Sequence, residues 1–408
     1  MAGHLFLGRN LCLSGVSPIL NFFLLELIAK TFAGLEQVLA EEIKNLGGTQ
    51  ITPLRRAVSF VGDLKLLYRA NLQLRTALRV LMPIHSFRFR SQDEFYEAIK
   101  AWEWEANLSL DRTFAIDAVV HSSIFTHSKF AALKAKDAIA DRFRDRFRNR
   151  RPSVNTNQPD LLINVYISDH EAHVSLDSSG RSLHLRGYRH ATVPAPMNEV
   201  LAAGLLRITG YTGARTLIDP MCGSGTIPIE AALIATGRPP QRRPETLGFL
   251  RWGSVNRELW REVLEEAESR VKPLEAEIWG RDMDMKAFKA TQENALAAGI
   301  DGLIQTQRGK MEKLDPPPGE PGILIVNPPY DKRLEQADIE AFYARIGDTL
   351  KSRYEGYTAW VFSCHLPALK HLGLRTSSKH SLYNGPLECK LHEYELYAGS
   401  RTLPFVSL

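Results

Sequence analysis

Cysteine is scarce in this chain of 408 residues, and the four present, Cys12, Cys222, Cys364 and Cys389, stand far apart in sequence. There is no Cys-x-x-Cys pair and no repeated Cys/His spacing, so zinc-site patterns are excluded and no metal is expected. Four separate thiols fit a reducing compartment, and the expected location is the cytoplasm. Long apolar runs are also lacking: none approaches the roughly 20 residues of a membrane span, so no membrane partner is expected. The apolar stretch Phe22-Phe23-Leu24-Leu25 has no basic lead and no small-residue cleavage site, so a strand is the better reading than a signal peptide. Repeats and low-complexity tracts are absent, and residues 1–21 show no period and read as an N-terminal extension. Nor is one sign of charge in large excess, since a net charge of +5 does not by itself demonstrate a polyanionic partner.

What is present is ordinary globular material, 44% hydrophobic and 24% charged, in a chain too long for one core. A strand at Phe22–Ala29, a helix through Gly34-Leu35-Glu36, a strand near Ala57–Val61, a helix at Asp63–Asn71 and a strand at Arg75–Ile84 make a ferredoxin-like module, residues 22–85. A second α+β module, residues 86–185, follows. It has a helix at Asp93–Trp104, a strand at Thr113–Val120, a long helix from Lys129 to Arg148, and strands at Leu161–Ile167 and His173–Leu176. Pro194 and Pro196 then punctuate the chain, and strands alternate with helices in the rhythm of a parallel doubly wound sheet, residues 190–408. The expected class is α/β.

The run Thr216-Leu217-Ile218-Asp219-Pro220-Met221-Cys222-Gly223-Ser224-Gly225-Thr226 begins as a buried strand, turns on small residues and continues as an apolar helix. Glycines serve where a backbone must approach a ligand closely, though Gly-x-Gly alone also occurs in plain strand-to-helix turns. No Lys follows the glycines, which argues against a phosphate-cradling loop and for a ligand without a triphosphate. Downstream, Glu277-Ile278-Trp279-Gly280 leads as a strand into Arg281-Asp282-Met283-Asp284. An acid at the end of the second strand is placed to accept hydrogen bonds from ribose hydroxyls. Asp282 is the first candidate; Asp284 is the alternative, although an Asp opening a helix also serves as an N-cap.

The apolar strand Gly322-Ile323-Leu324-Ile325-Val326 ends in Asn327-Pro328-Pro329-Tyr330. This tetrapeptide, paired with the Asp219–Thr226 loop, resembles the motifs of S-adenosyl-L-methionine-dependent amino-methyltransferases acting on nucleobases and on glutamine side chains. The resemblance assigns Asp219, Pro220, Cys222, Gly223, Gly225, Thr226, Asp282, Met283 and Asp284 to the cofactor, and Asn327, Pro328, Pro329 and Tyr330 to catalysis. The chemistry suits these residue types. An exocyclic amine conjugated to its ring has a delocalised lone pair. Acceptors on the Asn327 side chain and the Pro328 carbonyl would localise it, prolines would stiffen the loop, and Tyr330 would stack on an extruded base. No strong base is required, and Asp331 is at most a proton acceptor.

Between Lys129 and Arg151 nine basic residues face three acids, Asp137, Asp141 and Asp145, while Ile139, Phe143 and Phe147 recur at four-residue spacing and are expected in the core. Such a face is either solvated or a phosphate surface. Phe125-Thr126-His127-Ser128-Lys129-Phe130 with its continuation to Ile139, together with Asp177-Ser178-Ser179-Gly180-Arg181 through Arg189, resembles the THUMP-domain methyltransferases. Within them the chain is most similar to the bacterial 23S ribosomal RNA guanine-N2-methyltransferase family, as is Leu382-Tyr383-Asn384-Gly385-Pro386. The resemblance implies a Rossmann-like methyltransferase domain behind ferredoxin-like and THUMP modules. Structured RNA is the implied partner, contacted by Lys129, Lys134, Arg142, Arg144, Arg148, Arg186 and Arg189. Some relatives fuse a second methyltransferase domain; with the sequence ending at Leu408, a single activity is expected here. Two further features differ from many relatives: Arg308-Gly309-Lys310 where an Asp commonly meets the adenine amino group, and Asp331 after the tetrapeptide in place of Gly. The alternatives are the same chemistry on transfer RNA, protein-glutamine methylation, and a silent RNA-binding or ribosome-assembly factor.

Overall fold

The computed structural model describes residues 24–193, 196–329 and 336–398. The expected extension 1–21, Pro194 and Tyr330 lie outside the described residues. In the N-terminal half the elements are β1 (Leu25–Lys30), α1 (Glu36–Asn45), β2 (Thr49–Leu54), β3 (Ala57–Gly62), α2 (Leu64–Gln73), β4 (Arg79–Arg88), α3 (Gln92–Ala101), β5 (Thr113–His121), α4 (Ser128–Arg146), β6 (Ser153–Val154), β7 (Leu161–Ser168) and β8 (Glu171–Asp177). The C-terminal half follows with α5 (Glu199–Ile208), β9 (Leu217–Asp219), α6 (Thr226–Ala235), α7 (Arg257–Ser269), β10 (Ile278–Asp282), α8 (Met285–Ala297), β11 (Ile304–Arg308), β12 (Ile323–Val326), α9 (Gln336–Arg353), β13 (Thr358–Ser363), β14 (Ser378–Asn384) and β15 (Leu387–Glu395).

One eight-stranded sheet, ordered β2-β3-β1-β4-β8-β7-β5-β6, runs through the whole N-terminal half. Its two expected modules are joined because β4 is long: the first residues pair with β1 and the strand then pairs antiparallel with β8, from Leu81 opposite Asp177 to Arg88 opposite Glu171. β2 escapes the sequence pattern because almost all its side chains are exposed, leaving no alternation to read. On the opposite edge, α4 buries Ala131, Ala135, Ala138, Ile139 and Phe143 against the sheet. The helix ends earlier than expected. Arg148 and Asn149 adopt left-handed φ of 52° and 61°, and Phe147, 36% exposed, does not join the core.

The second sheet is ordered β11-β10-β9-β12-β13-β15-β14; β11 to β13 are parallel, and β15 is antiparallel to both its neighbours. β12 is buried at every position and α6 on every side, as central parallel strands and the helix covering them require. Pro228 sits in the first turn of α6, where a missing N–H costs no hydrogen bond. The order reverses between β9 and β12, the point at which doubly wound sheets open a crevice beyond their strand ends. This is a Rossmann-like domain.

The expectation of four separate cysteines is corrected: Cys364 and Cys389 form a disulfide across 25 residues of sequence. Antiparallel pairing of β13 with β15 sets Ser363 opposite Lys390, so the next pair along brings the two sulfurs together. Cys222 is free and buried. Among the described residues no helix is long and apolar enough to cross a membrane, and no cluster of metal-ligating side chains occurs.

The two halves are clamped together. Glu266 of α7 accepts from Lys65 and Arg69 of α2, and these two cations, Lys65 first, lower its carboxyl to about 2.

Candidate active site

The loop after β9 carries its glycines for two different physical reasons. Gly225 is the N-cap of α6 at φ 83°, and a Cβ there would lie 2.7 Å from Thr291 Cγ2. Gly223, at φ 57°, is also left-handed, but among the described residues a Cβ there would meet only Val193 Cγ2, at 3.6 Å. The loop is fastened to the end of β10: the Cys222 N–H donates to the Arg281 carbonyl at 2.9 Å, and the Gly223 N–H donates to Asp282 Oδ2 at 2.9 Å. Thr291 of α8 donates to the Gly223 carbonyl at 3.0 Å.

Of the two acids weighed at the end of the second strand, Asp282 faces the glycine loop. Its carboxyl is raised, chiefly by burial, while N–H donors from Asp284 and Gly223 act in the opposite direction. Asp284 accepts from the Lys286 and Ala287 N–H groups and caps α8. Met283 between them is 59% exposed. Asp219 is buried behind the loop with Met221 N–H on its Oδ1 at 3.1 Å; burial pushes its carboxyl well up, and Asp282 adds to the shift. Burial likewise pushes the Cys222 thiol up, so it is no nucleophile. Pro220 and Thr226 are buried within the turn and the first residue of α6.

β12 pairs with β9, Ile323 opposite Leu217 and Leu324 opposite Ile218. Continuing that register beyond the strand ends sets Asn327 beside the Asp219–Gly225 loop, across the switch point. Asn327 is half-buried, Pro328 buried and Pro329 exposed. The loops after the first and fourth parallel strands therefore share one crevice.

The basic residues divide sharply. Arg144 and Arg146, the latter 58% exposed, and Arg148, Arg150 and Arg151 form an exposed cluster at the end of α4, and Lys129 is exposed at its start. Lys134 is paired with Asp93 at 2.9 Å, and Arg144 with Asp141 at 2.7 Å. Three expectations are corrected. Arg142, only 11% exposed, sits against Glu105 and donates to the carbonyls of Lys100 and Ala101. Arg186, 1% exposed, is enclosed by Glu230 and the carbonyls of Leu183 and Arg75. Arg189 turns inward to Glu199, Ser224, Thr226 and the Met197 carbonyl. Arg186, enclosed in this way, has no face left for a phosphate, while Arg142 and Arg189 spend most of their donors inside the protein.

Thr291 and Asn294 were not among the expected site residues. Asn294 bonds the His190 and Ala191 N–H groups and donates to the Ala191 and Ser224 carbonyls. A signal for both existed: they are polar yet share the helical period of Ala287, Ala290 and Ala295, the buried stripe of α8.

The family profile described as RMKL-like, methyltransferase domain, matches residues 186–393; an RlmL ferredoxin-like domain matches 26–81 and a THUMP domain 89–177. The chain is 42% identical over 375 residues to the ribosomal RNA large subunit methyltransferase K/L of Syntrophotalea carbinolica, covering 89% of this chain and 52% of that one. It is 40% identical over 366 residues to slr0064 of Synechocystis sp., covering 89% of this chain and 95% of that one. It thus spans about half the length of the K/L relatives it matches. Among solved structures, SMU.472 complexed with SAH superposes with a TM-score of 0.83 at 26% identity, covering 92% of this chain and 99% of that one. A possible methylase from Clostridium difficile 630 gives 0.83 at 29%, covering 93% and 100%. The glycine loop, the acid beyond β10 and the Asn-Pro-Pro turn thus lie within the matched span, and the chain belongs to the RMKL-like methyltransferase domain family, with RlmL-type ferredoxin-like and THUMP domains before it.

Proposed function

We propose that this protein is an S-adenosyl-L-methionine-dependent methyltransferase acting on the exocyclic N2 amine of a guanine in 23S ribosomal RNA. The observation that carries the reading is the meeting of the Asp219–Thr226 loop and the Asn327-Pro328-Pro329 turn at the one switch point of a parallel sheet. Relatives named as ribosomal RNA large subunit methyltransferases and a neighbour complexed with SAH support the substrate class and the cofactor. The same reading divides the chain into a ferredoxin-like module (22–85), a THUMP module (86–185) and a catalytic domain (190–408).

The residues present fit such a cofactor. Gly223 leaves a concavity that a Cβ would fill, and Asp282 offers a carboxylate beside it. Asp282 would accept from ribose hydroxyls, Gly223 and Gly225 would let the backbone approach, and Met283 would cover the adenine. When bound, the sulfonium supplies an activated methyl group. Asn327 and the Pro328 carbonyl would hold the guanine amine by hydrogen bonds that localise its lone pair, and the two prolines keep those acceptors from reorganising. Tyr330 would stack on the base, a contact worth about 1–3 kcal/mol. No residue needs to act as a strong base, because the methylated nitrogen becomes acidic and its proton leaves to water. The exposed arginines Arg144, Arg146, Arg148, Arg150 and Arg151 would meet RNA phosphates.

The test is incubation of the purified protein with labelled cofactor and separated RNA pools, followed by nucleoside mass spectrometry. N2-methylguanosine in 23S RNA is expected, and Asn327→Ala should abolish it while SAH binding survives. Label in transfer RNA would move the substrate; label in protein only, or none, would overturn the reading.

A further inference from the structure

The stretch between the two halves, residues 189–193, lies against the glycine loop rather than merely connecting domains. Arg189 makes four contacts there. Its Nε donates to Glu199 Oε1 at 2.8 Å, Nη1 to Ser224 Oγ at 3.1 Å, and Nη2 to Thr226 Oγ1 at 3.1 Å and the Met197 carbonyl at 2.9 Å. Asn294 completes the fastening from α8. Its Oδ1 accepts from His190 and Ala191 N–H at 2.9 and 3.0 Å, and its Nδ2 donates to the carbonyls of Ala191 and Ser224 at 2.9 and 3.0 Å. Val193 is the atom neighbour facing Gly223.

Two sets of contacts therefore hold the turn, and Asn294 of α8 links them through the Ser224 carbonyl. Gly223 is gripped from β10 and α8 by Asp282 and Thr291, whereas Ser224 and Thr226 are gripped from the interdomain stretch by Arg189. Gly225 between them is left-handed and caps α6 without any side chain of its own, so the entry into the helix depends on its neighbours for rigidity. The planar fork of a guanidinium suits this task, because it can reach a carboxylate on one edge and two hydroxyls on the others; an ammonium cannot hold that geometry. Glu199, nearly buried, neutralises the cation, so Arg189 acts through direction rather than net charge.

We propose that Arg189 is a positioning residue for the cofactor site: by holding Ser224 and Thr226, it sets the shape of the glycine loop. This rests on the cofactor reading given above. Arg189 is not an RNA contact.

The experiment measures, for wild type, Arg189→Ala and Arg189→Lys, the Kd for SAH by calorimetry, the affinity for ribosomal RNA without cofactor, the KM for each substrate, and the thermal midpoint. Arg189→Ala should weaken SAH binding about tenfold or more, as loss of charge-assisted hydrogen bonds does, with RNA affinity within about twofold of wild type. Arg189→Lys should regain thermal stability through Glu199 but not SAH affinity, a split that a merely structural role would not produce. Unchanged SAH affinity in Arg189→Ala, or a loss confined to RNA affinity, overturns the proposal. If Arg189→Ala does not fold, Ser224→Ala removes one acceptor and leaves both the ion pair and Thr226 intact; weaker SAH binding supports the proposal and wild-type binding overturns it. Failure of the wild type to bind SAH would instead overturn the cofactor reading itself.

Discussion

Replacing each loop glycine by alanine separates backbone strain from ligand space. At Gly225 the new methyl group has to adopt φ 83° and lies 2.7 Å from Thr291 Cγ2 and 3.0 Å from Thr291 Oγ1. A left-handed alanine costs about 1–2 kcal/mol, and overpacking a closed site about 1–3 kcal/mol more. Together that is roughly 2–5 kcal/mol, on the order of 10 °C in the midpoint of a domain of this size. At Gly223 the conformational penalty is similar, about 1–2 kcal/mol, but the nearest atom of the described residues is 3.6 Å away, so they add no packing penalty. Gly223→Ala should therefore melt only a few degrees below wild type, about 3–6 °C by the same scaling. If the cofactor occupies the space beside Gly223, SAH affinity should nonetheless fall about tenfold or more, because the methyl group enters that space. Thermal scans with and without SAH, and calorimetric titration, report both quantities. Equal destabilisation by the two variants would refute the packing argument, and wild-type SAH affinity in Gly223→Ala would refute the assignment of that space to the ligand.

Arg186→Ala should cost about 3–5 kcal/mol in a denaturant titration, since it leaves Glu230 buried without its cation, yet leave the salt dependence of RNA binding unchanged; a reduced salt slope would restore Arg186 to the RNA surface. Neutralising Arg144 and Arg148 together should weaken RNA binding and reduce the log–log salt slope by about 1.5, measured by filter binding; an unaltered slope would mean that this end of α4 is simply solvated. His392 gives a pH signature. Burial, reinforced by Lys379 and Lys390, lowers its imidazole from the ordinary 6.5 to about 4. Between those values the unfolded chain takes up a proton that the folded protein does not, so stability should fall as pH drops through that window. His392→Gln should flatten the pH dependence of the urea midpoint there, and an unchanged profile would show that His392 titrates normally. Glu266 is shifted in the same direction, by its cationic partners Lys65 and Arg69 rather than by burial: its contribution should be present above about 4.5 and be lost as pH falls towards about 2.

Period and punctuation carried much of the architecture. The apolar runs of β9 and β12, the small-residue turn between β9 and α6, and the Asn-Pro-Pro turn were visible because central parallel strands are buried on both faces and tolerate little else. Amphipathic α4 was visible for the same reason, up to the point where two left-handed residues ended it, since Arg and Asn carry no strong stop signal there. β2 was invisible because its side chains face water at almost every position, and backbone pairing with β3 rather than side-chain burial holds it in place. The continuous eight-stranded sheet was hidden as well, because the pairing of β4 with β8 joins residues about a hundred positions apart.

Charge was where linear reading failed most plainly. In the sequence, Arg142, Arg186 and Arg189 look like Arg144 and Arg148, cations in basic company. Only tertiary structure decides which guanidinium meets Glu105, Glu230 or Glu199 and which remains in water, because each partner acid lies on another element, ten residues away for Glu199 and about forty for the other two. The same holds for Cys364 and Cys389, brought together by strand register. The sequence alone determined which residue types and which turns could build a site at the ends of parallel strands, since those are local consequences of sterics and burial. Which polar groups are spent inside the protein, and which are left for a ligand, depended on long-range packing.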